Sequence, residues 1–104
     1  MAPILVARFQ VYRITGTGQL VIDLQANILD DLGTRIVAPF LPASEFNRTI
    51  GRLNPRVDIG GKIYIAAIHL MAAVPSSQLN GPELDLTERG DEITAALDFA
   101  FQGF

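Results

Sequence analysis

The sequence predicts a small, mainly β fold: an antiparallel barrel or curled sheet with one α-helix packed on it at the C-terminal end. Three observations lead there. Short runs of β-branched and aromatic residues alternate with period two, glycine-rich turns separate them, and after Thr87 the apolar pattern switches to helical spacing. At 104 residues, with 49% hydrophobic and 18% charged side chains and a mean hydropathy of +0.30, the chain has apolar material for one core. It is too short for two, so a single domain over residues 1–104 is expected.

The elements follow in order. Residues 9–14 and 19–25 read as strands, and in the second Leu20, Ile22 and Leu24 share one face while Gln19, Val21, Asp23 and Gln25 take the other. Thr15-Gly16-Thr17-Gly18 between them has hairpin-loop composition. Asp30-Asp31-Leu32-Gly33 makes another turn, after which residues 34–38 give a short strand expected to stop at Pro39. Pro42, Asn54 and Pro55 bracket an irregular stretch whose Phe46 and Leu53 should enter the core. Gly60-Gly61 marks a tight turn between residues 56–59 and the apolar run 62–73, which reads as one strand buried on both faces.

The last segment is helical. Ile93, Ala96, Leu97, Ala100 and Phe101 fall on one face, Thr87 is placed to cap the N-terminus, and Glu88, Asp91 and Glu92 complement the macrodipole there. Gly103 sits where a left-handed residue would close the helix. Gly90 is a blemish, costing up to about 1 kcal/mol relative to alanine in a helix interior.

The chemistry-bearing residues form no catalytic constellation. The single histidine, His69, reads as a core or edge-strand residue without a partner in sequence. Asp30-Asp31 reads as a turn, Gly16-Thr17-Gly18 lacks the lysine and following helix of a phosphate loop, and Ser76-Ser77 lies in no nucleophile elbow. Cysteine is absent, which removes disulfides, thiolate metal sites and a cysteine nucleophile. No cofactor is expected.

Eight Lys plus Arg against eleven Asp plus Glu leave a net charge of −3 and a pI near 4.9. Direct duplex binding through phosphates calls for the opposite sign, so no direct nucleic-acid partner is expected. No run reaches the ~18 apolar residues of a membrane span, and the apolar start lacks the basic region of a signal sequence. A cytoplasmic protein without a membrane partner is the resulting expectation. Phe99 falls about 130° from the centre of the helix stripe at ~100° per residue, and Phe104 stands beyond the closing glycine. An aromatic end of this kind either docks on the sheet or forms a partner surface.

Taken together, certain segments resemble the CcdB toxins of bacterial toxin–antitoxin pairs. They are Phe9-Gln10-Val11-Tyr12, Val21-Ile22-Asp23-Leu24-Gln25-Ala26-Asn27-Ile28-Leu29-Asp30, Gly33-Thr34-Arg35-Ile36-Val37-Ala38-Pro39, Leu53-Asn54-Pro55, Met71-Ala72-Ala73-Val74-Pro75 and the close from Asp91 to Phe104. Each motif is short, but they are collinear and span residues 9–104, with residues 1–8 as a short extension. The resemblance implies an SH3-like barrel of the CcdB/Kid type and a non-enzymatic homodimer. Such a dimer binds the A subunit of DNA gyrase, traps the cleaved complex and is neutralised by a CcdA-type antitoxin.

The resemblance places the gyrase contact at Gln102, Gly103 and Phe104. The antitoxin or dimer surface falls on Phe9, Tyr12, Ile28, Leu29, Asp98, Phe99 and Phe101, with Arg13 and Arg35 as rim charges for an acidic antitoxin. The family's closing tripeptide is typically Trp-Gly-Ile, and here Gln102 replaces the tryptophan. Losing an aromatic anchor in a desolvated interface typically costs about 2 kcal/mol or more. Two alternatives accompany this expectation: a homologue that keeps dimerisation and antitoxin binding without the poisoning, and a MazF/Kid-type endoribonuclease.

Overall fold

The computed structural model describes residues 7–45 and 51–103, with the side chains of residues 28, 30 and 31 outside that description. Seven strands form one strongly curled antiparallel sheet: β1 (Gln10–Ile14), β2 (Leu20–Asp23), β3 (Thr34–Pro42), β4 (Arg56–Ile59), β5 (Lys62–Ala66), β6 (Ala72–Pro75) and β7 (Leu79–Asp85). Their order is β4-β5-β3-β2-β1-β7, with β6 also paired to β3. Among the described residues one α-helix, α1 (Gly90–Gln102), completes the fold. The mainly β half-barrel with a C-terminal helix matches the expected class.

The turns are built as the glycines require. Gly16 and Gly18 hold positive φ in the β1–β2 hairpin, and Gly60 and Gly61 both do so between Ile59 and Lys62. Two consecutive positive φ values suit the twist of a two-residue hairpin loop. Asp58 Oδ1 accepts a 2.9 Å hydrogen bond from the Gly61 amide and fixes that loop.

Strand β3 organises the sheet. It pairs with β2 on one side; on the other it pairs first with β6, from Thr34↔Pro75 to Val37↔Ala72, and then with β5, from Phe40↔Ala66 to Pro42↔Tyr64. Two expectations are corrected by this exchange of partners. The strand does not stop at Pro39, because the neighbour on that side changes there and no ladder bond from its missing N–H is needed; its carbonyl accepts the Ala67 amide at 2.9 Å. The run 62–73 is not one strand but β5, a 3-10 turn at Ile68–Leu70 and β6, since it must leave one half of β3 and rejoin the other.

Two apolar clusters occupy opposite faces. The larger includes Val11, Leu20, Ile22, Phe40, Ile68 and Ile93, with Leu53 packed against it, and is covered by α1. The smaller holds Tyr12, Val21, Val37 and Leu79. Strand β2 is therefore buried on both faces, whereas the alternation distinguished an apolar face from a more polar one. Phe46, expected in the core, lies outside the described residues.

The helix begins later than expected. Thr87 does not cap it: Thr87–Arg89 forms a 3-10 turn, Arg89 precedes the first helical residue, and no side chain caps the start. The Thr87 hydroxyl and amide instead donate to Asp85 Oδ1. Asp91 and Glu92 do occupy the first turn, and Gly103 closes the helix in the left-handed conformation, its amide donating to the Phe99 carbonyl at 2.8 Å. Gly90 has a packing reason. A Cβ there would lie 2.7 Å from the Phe9 ring, and Phe9 itself is held at φ 69°.

Candidate functional site

Among the described residues, two exposed apolar regions stand out. One is the C-terminal end of α1. Ile93 and Ala96 are buried, but the same stripe continues to Ala100 and Phe101, which are exposed, Phe101 at 74%. The helix packs on the Ile68–Leu70 turn, and between them lies an open groove of about 340 Å³ lined by Leu53, His69, Met71, Phe99, Ala100 and Phe101. Phe99 is half-buried with the Arg52 guanidinium 5.0 Å from its ring centre. That contact adds cationic character to an apolar surface. His69 is neither core nor edge strand; it sits exposed on the turn, its Nδ1 3.3 Å from the Asn54 amide nitrogen.

Gln102 is the last residue of α1 and Gly103 follows it, both exposed, while Phe104 lies outside the described residues. Asp98 is exposed on the helix. Four expected contact residues, Asp98, Phe101, Gln102 and Gly103, are thus gathered at one accessible end of the molecule, with Phe99 partly covered beside them.

The other region is the 3-10 turn Asn27–Leu32, which bends at Leu29 and ends in left-handed Gly33. Leu29 is 45% and Leu32 63% exposed. Ile28 lies in this turn, and its side chain is outside the described set.

Other expected residues are placed elsewhere. Tyr12 is not at a surface: it is fully buried in the smaller cluster, and its hydroxyl accepts a 2.9 Å hydrogen bond from the Ala7 amide. Burial pushes that phenol's pKa up. Phe9 is half-buried, wedged against Gly90 beneath the Arg8 guanidinium, which lies 4.6 Å from its ring centre. Arg13 is exposed and paired with Glu83.

Arg35 is not a rim charge. It is fully buried, with Nε 2.8 Å from Asp23 Oδ2 and Nη2 2.9 Å from Asp23 Oδ1, a bidentate pair between β2 and β3. The register Asp23↔Val37 puts Asp23 and Arg35 diagonally on one face, at the end of the smaller core. Burial pushes the Asp23 carboxyl above the usual range, and the guanidinium pulls it back.

Sequence reasoning missed Leu32, Leu70, Met71 and Arg52. A strand over 62–73 would have alternated Leu70 and Met71 between its faces, and nothing in sequence brings Arg52 to Phe99.

A curled antiparallel sheet closed by a terminal helix is shared with several solved structures. One, described as an endoribonuclease in complex with its cognate antitoxin from a Mycobacterial species, is 20% identical, with a TM-score of 0.70 over 93% of this chain and 95% of that one. The Mycobacterium tuberculosis toxin MazF-mt6 is 16% identical, with a TM-score of 0.72 over 88% and 95%. An endoribonuclease from a Mycobacterial species is 18% identical, with a TM-score of 0.72 over 97% and 95%. At these identities the likeness is one of fold. The CcdB protein family model matches residues 8–103, and the chain belongs to the CcdB family.

Proposed function

We propose that this protein is the toxin of a toxin–antitoxin pair. In this reading a homodimer in the cytoplasm binds the A subunit of DNA gyrase, traps the cleaved gyrase–DNA complex without catalysis of its own, and is neutralised by a CcdA-type antitoxin. The observation that carries the reading, within the CcdB family, is the exposed apolar end of α1. Phe101 is 74% exposed beside Gln102 and Gly103, and leaving such a side chain in water is costly unless a partner covers it. A net charge of −3 fits a toxin whose direct target is a protein.

The test is a gyrase cleavage assay with the purified protein and with a variant truncated before Gln102. Trapped cleaved DNA is expected from the full chain and not from the truncated one. Gln102→Trp is expected to strengthen trapping roughly ten- to a hundredfold, from about 2 kcal/mol for an aromatic anchor at about 1.4 kcal/mol per decade. No trapping by a folded dimer overturns the reading and leaves a homologue that binds antitoxin without poisoning.

A second reading, an endoribonuclease, is favoured by the fold of the solved neighbours described as such. Cleavage of RNA by the purified protein in the absence of gyrase decides for it.

A further inference from the structure

We propose that Gln25, seated on the buried Asp23–Arg35 pair, is a positioning residue that holds the Asn27–Leu32 turn in the conformation presenting Leu29 and Leu32 to the antitoxin. That these leucines form part of a partner surface rests on the proposed function; the positioning itself stands on geometry.

The turn is not held by burying its leucines, since Leu29 is 45% and Leu32 63% exposed. A segment that leaves its described large apolar side chains in solvent needs another anchor. Gln25 supplies it. Its side chain is buried, and its amide nitrogen donates to the Leu29 carbonyl at 2.7 Å while its Oε1 accepts the Ile36 amide of β3 at 3.1 Å. One side chain therefore ties the middle of the turn to the sheet.

Gln25 is itself fixed from behind. Its carbonyl accepts Arg35 Nη2 at 3.0 Å, and its amide donates to Asp23 Oδ1 at 3.0 Å. At the start of the turn, Asn27 Oδ1 accepts the Arg8 amide at 2.8 Å. Among the described residues Arg35 Nη1 is buried without a hydrogen-bond partner. A buried ion pair that is not fully satisfied is a weak source of stability, and fixing one local geometry is a role it fills better.

Hydrogen exchange on the full chain tests this, comparing the natural protein with Gln25→Met and with Val21→Ala. The second variant opens the neighbouring core without touching the turn. Gln25→Met is expected to speed exchange of the Asn27–Leu32 amides at least tenfold beyond Val21→Ala, under conditions where the two are equally stable. Equal exchange in the turn for both variants overturns the proposal, because Gln25 would then act only through overall stability. Binding of a synthetic CcdA-type antitoxin segment is read in parallel, with a tenfold or greater loss expected for Gln25→Met alone. Absence of binding by the natural protein removes the antitoxin part of the proposed function, and the exchange comparison still decides the positioning role.

Discussion

The carboxylate of Asp85 accepts hydrogen bonds from the Thr87 hydroxyl, the Thr87 amide and the Gln10 side-chain amide, and these donors hold its pKa below the ordinary value. It joins β1 to the segment that leads into α1. Because the folded-state pKa is lowered, the native state binds fewer protons here than the unfolded chain. The contribution is therefore complete above the ordinary carboxylate pKa and is lost as pH falls through the folded one. Asp85→Asn is expected to lower the melting temperature at pH 7, with the gap to the natural protein closing in strong acid. A gap independent of pH would mean that the carboxylate's charge is irrelevant to the joint. Asp23 has the opposite direction of shift and a different role. Its burial against Arg35 turns two residues that look like surface charges in sequence into the fixed end of a core.

The start of α1 shows how one element depends on another distant in sequence. Gly90 is buried where the helix meets Phe9, and an added Cβ would approach the ring to 2.7 Å. Helix propensity alone favours Gly90→Ala by up to about 1 kcal/mol. Overpacking a close contact costs about 1–3 kcal/mol. Phe9 has little room to give, since its backbone already sits at φ 69°, with its amide and carbonyl bonded to Asp23 and Leu86. Gly90→Ala is therefore expected to destabilise by about 1 kcal/mol in denaturant unfolding, the difference between those two effects. In a Phe9→Leu background the same substitution should become neutral or stabilising, and loss of stability in both backgrounds would show that the ring is not the obstacle.

Across the whole molecule, the exposed end of α1 lies outside both cores, and removing residues 102–104 is expected to leave the melting temperature within about 2 °C of the natural protein, in keeping with small effects at exposed sites. A drop of 10 °C would mean that the tail is part of the fold. Much of the architecture was legible beforehand, because it rests on local rules. The glycine turns at 16–18 and 60–61, the alternation in β1 and β2, and the helix stripe closed by Gly103 each depend on neighbours in sequence. The collinear family motifs were legible for the same reason. What lay beyond sequence were the long-range decisions. These were the exchange of β6 for β5 along β3, which split the run 62–73, the second core that buried Tyr12, and the pairing that hid Arg35. The approach of Phe9 that requires Gly90 belongs with them. The sequence by itself determined the first two strands, the glycine turns, the helix stripe and the family, since periodicity and backbone preference act over a few residues; β7 and the division of 62–73 lay beyond it. Only the tertiary structure decided which faces met water, because burial depends on where a curled sheet brings distant strands together.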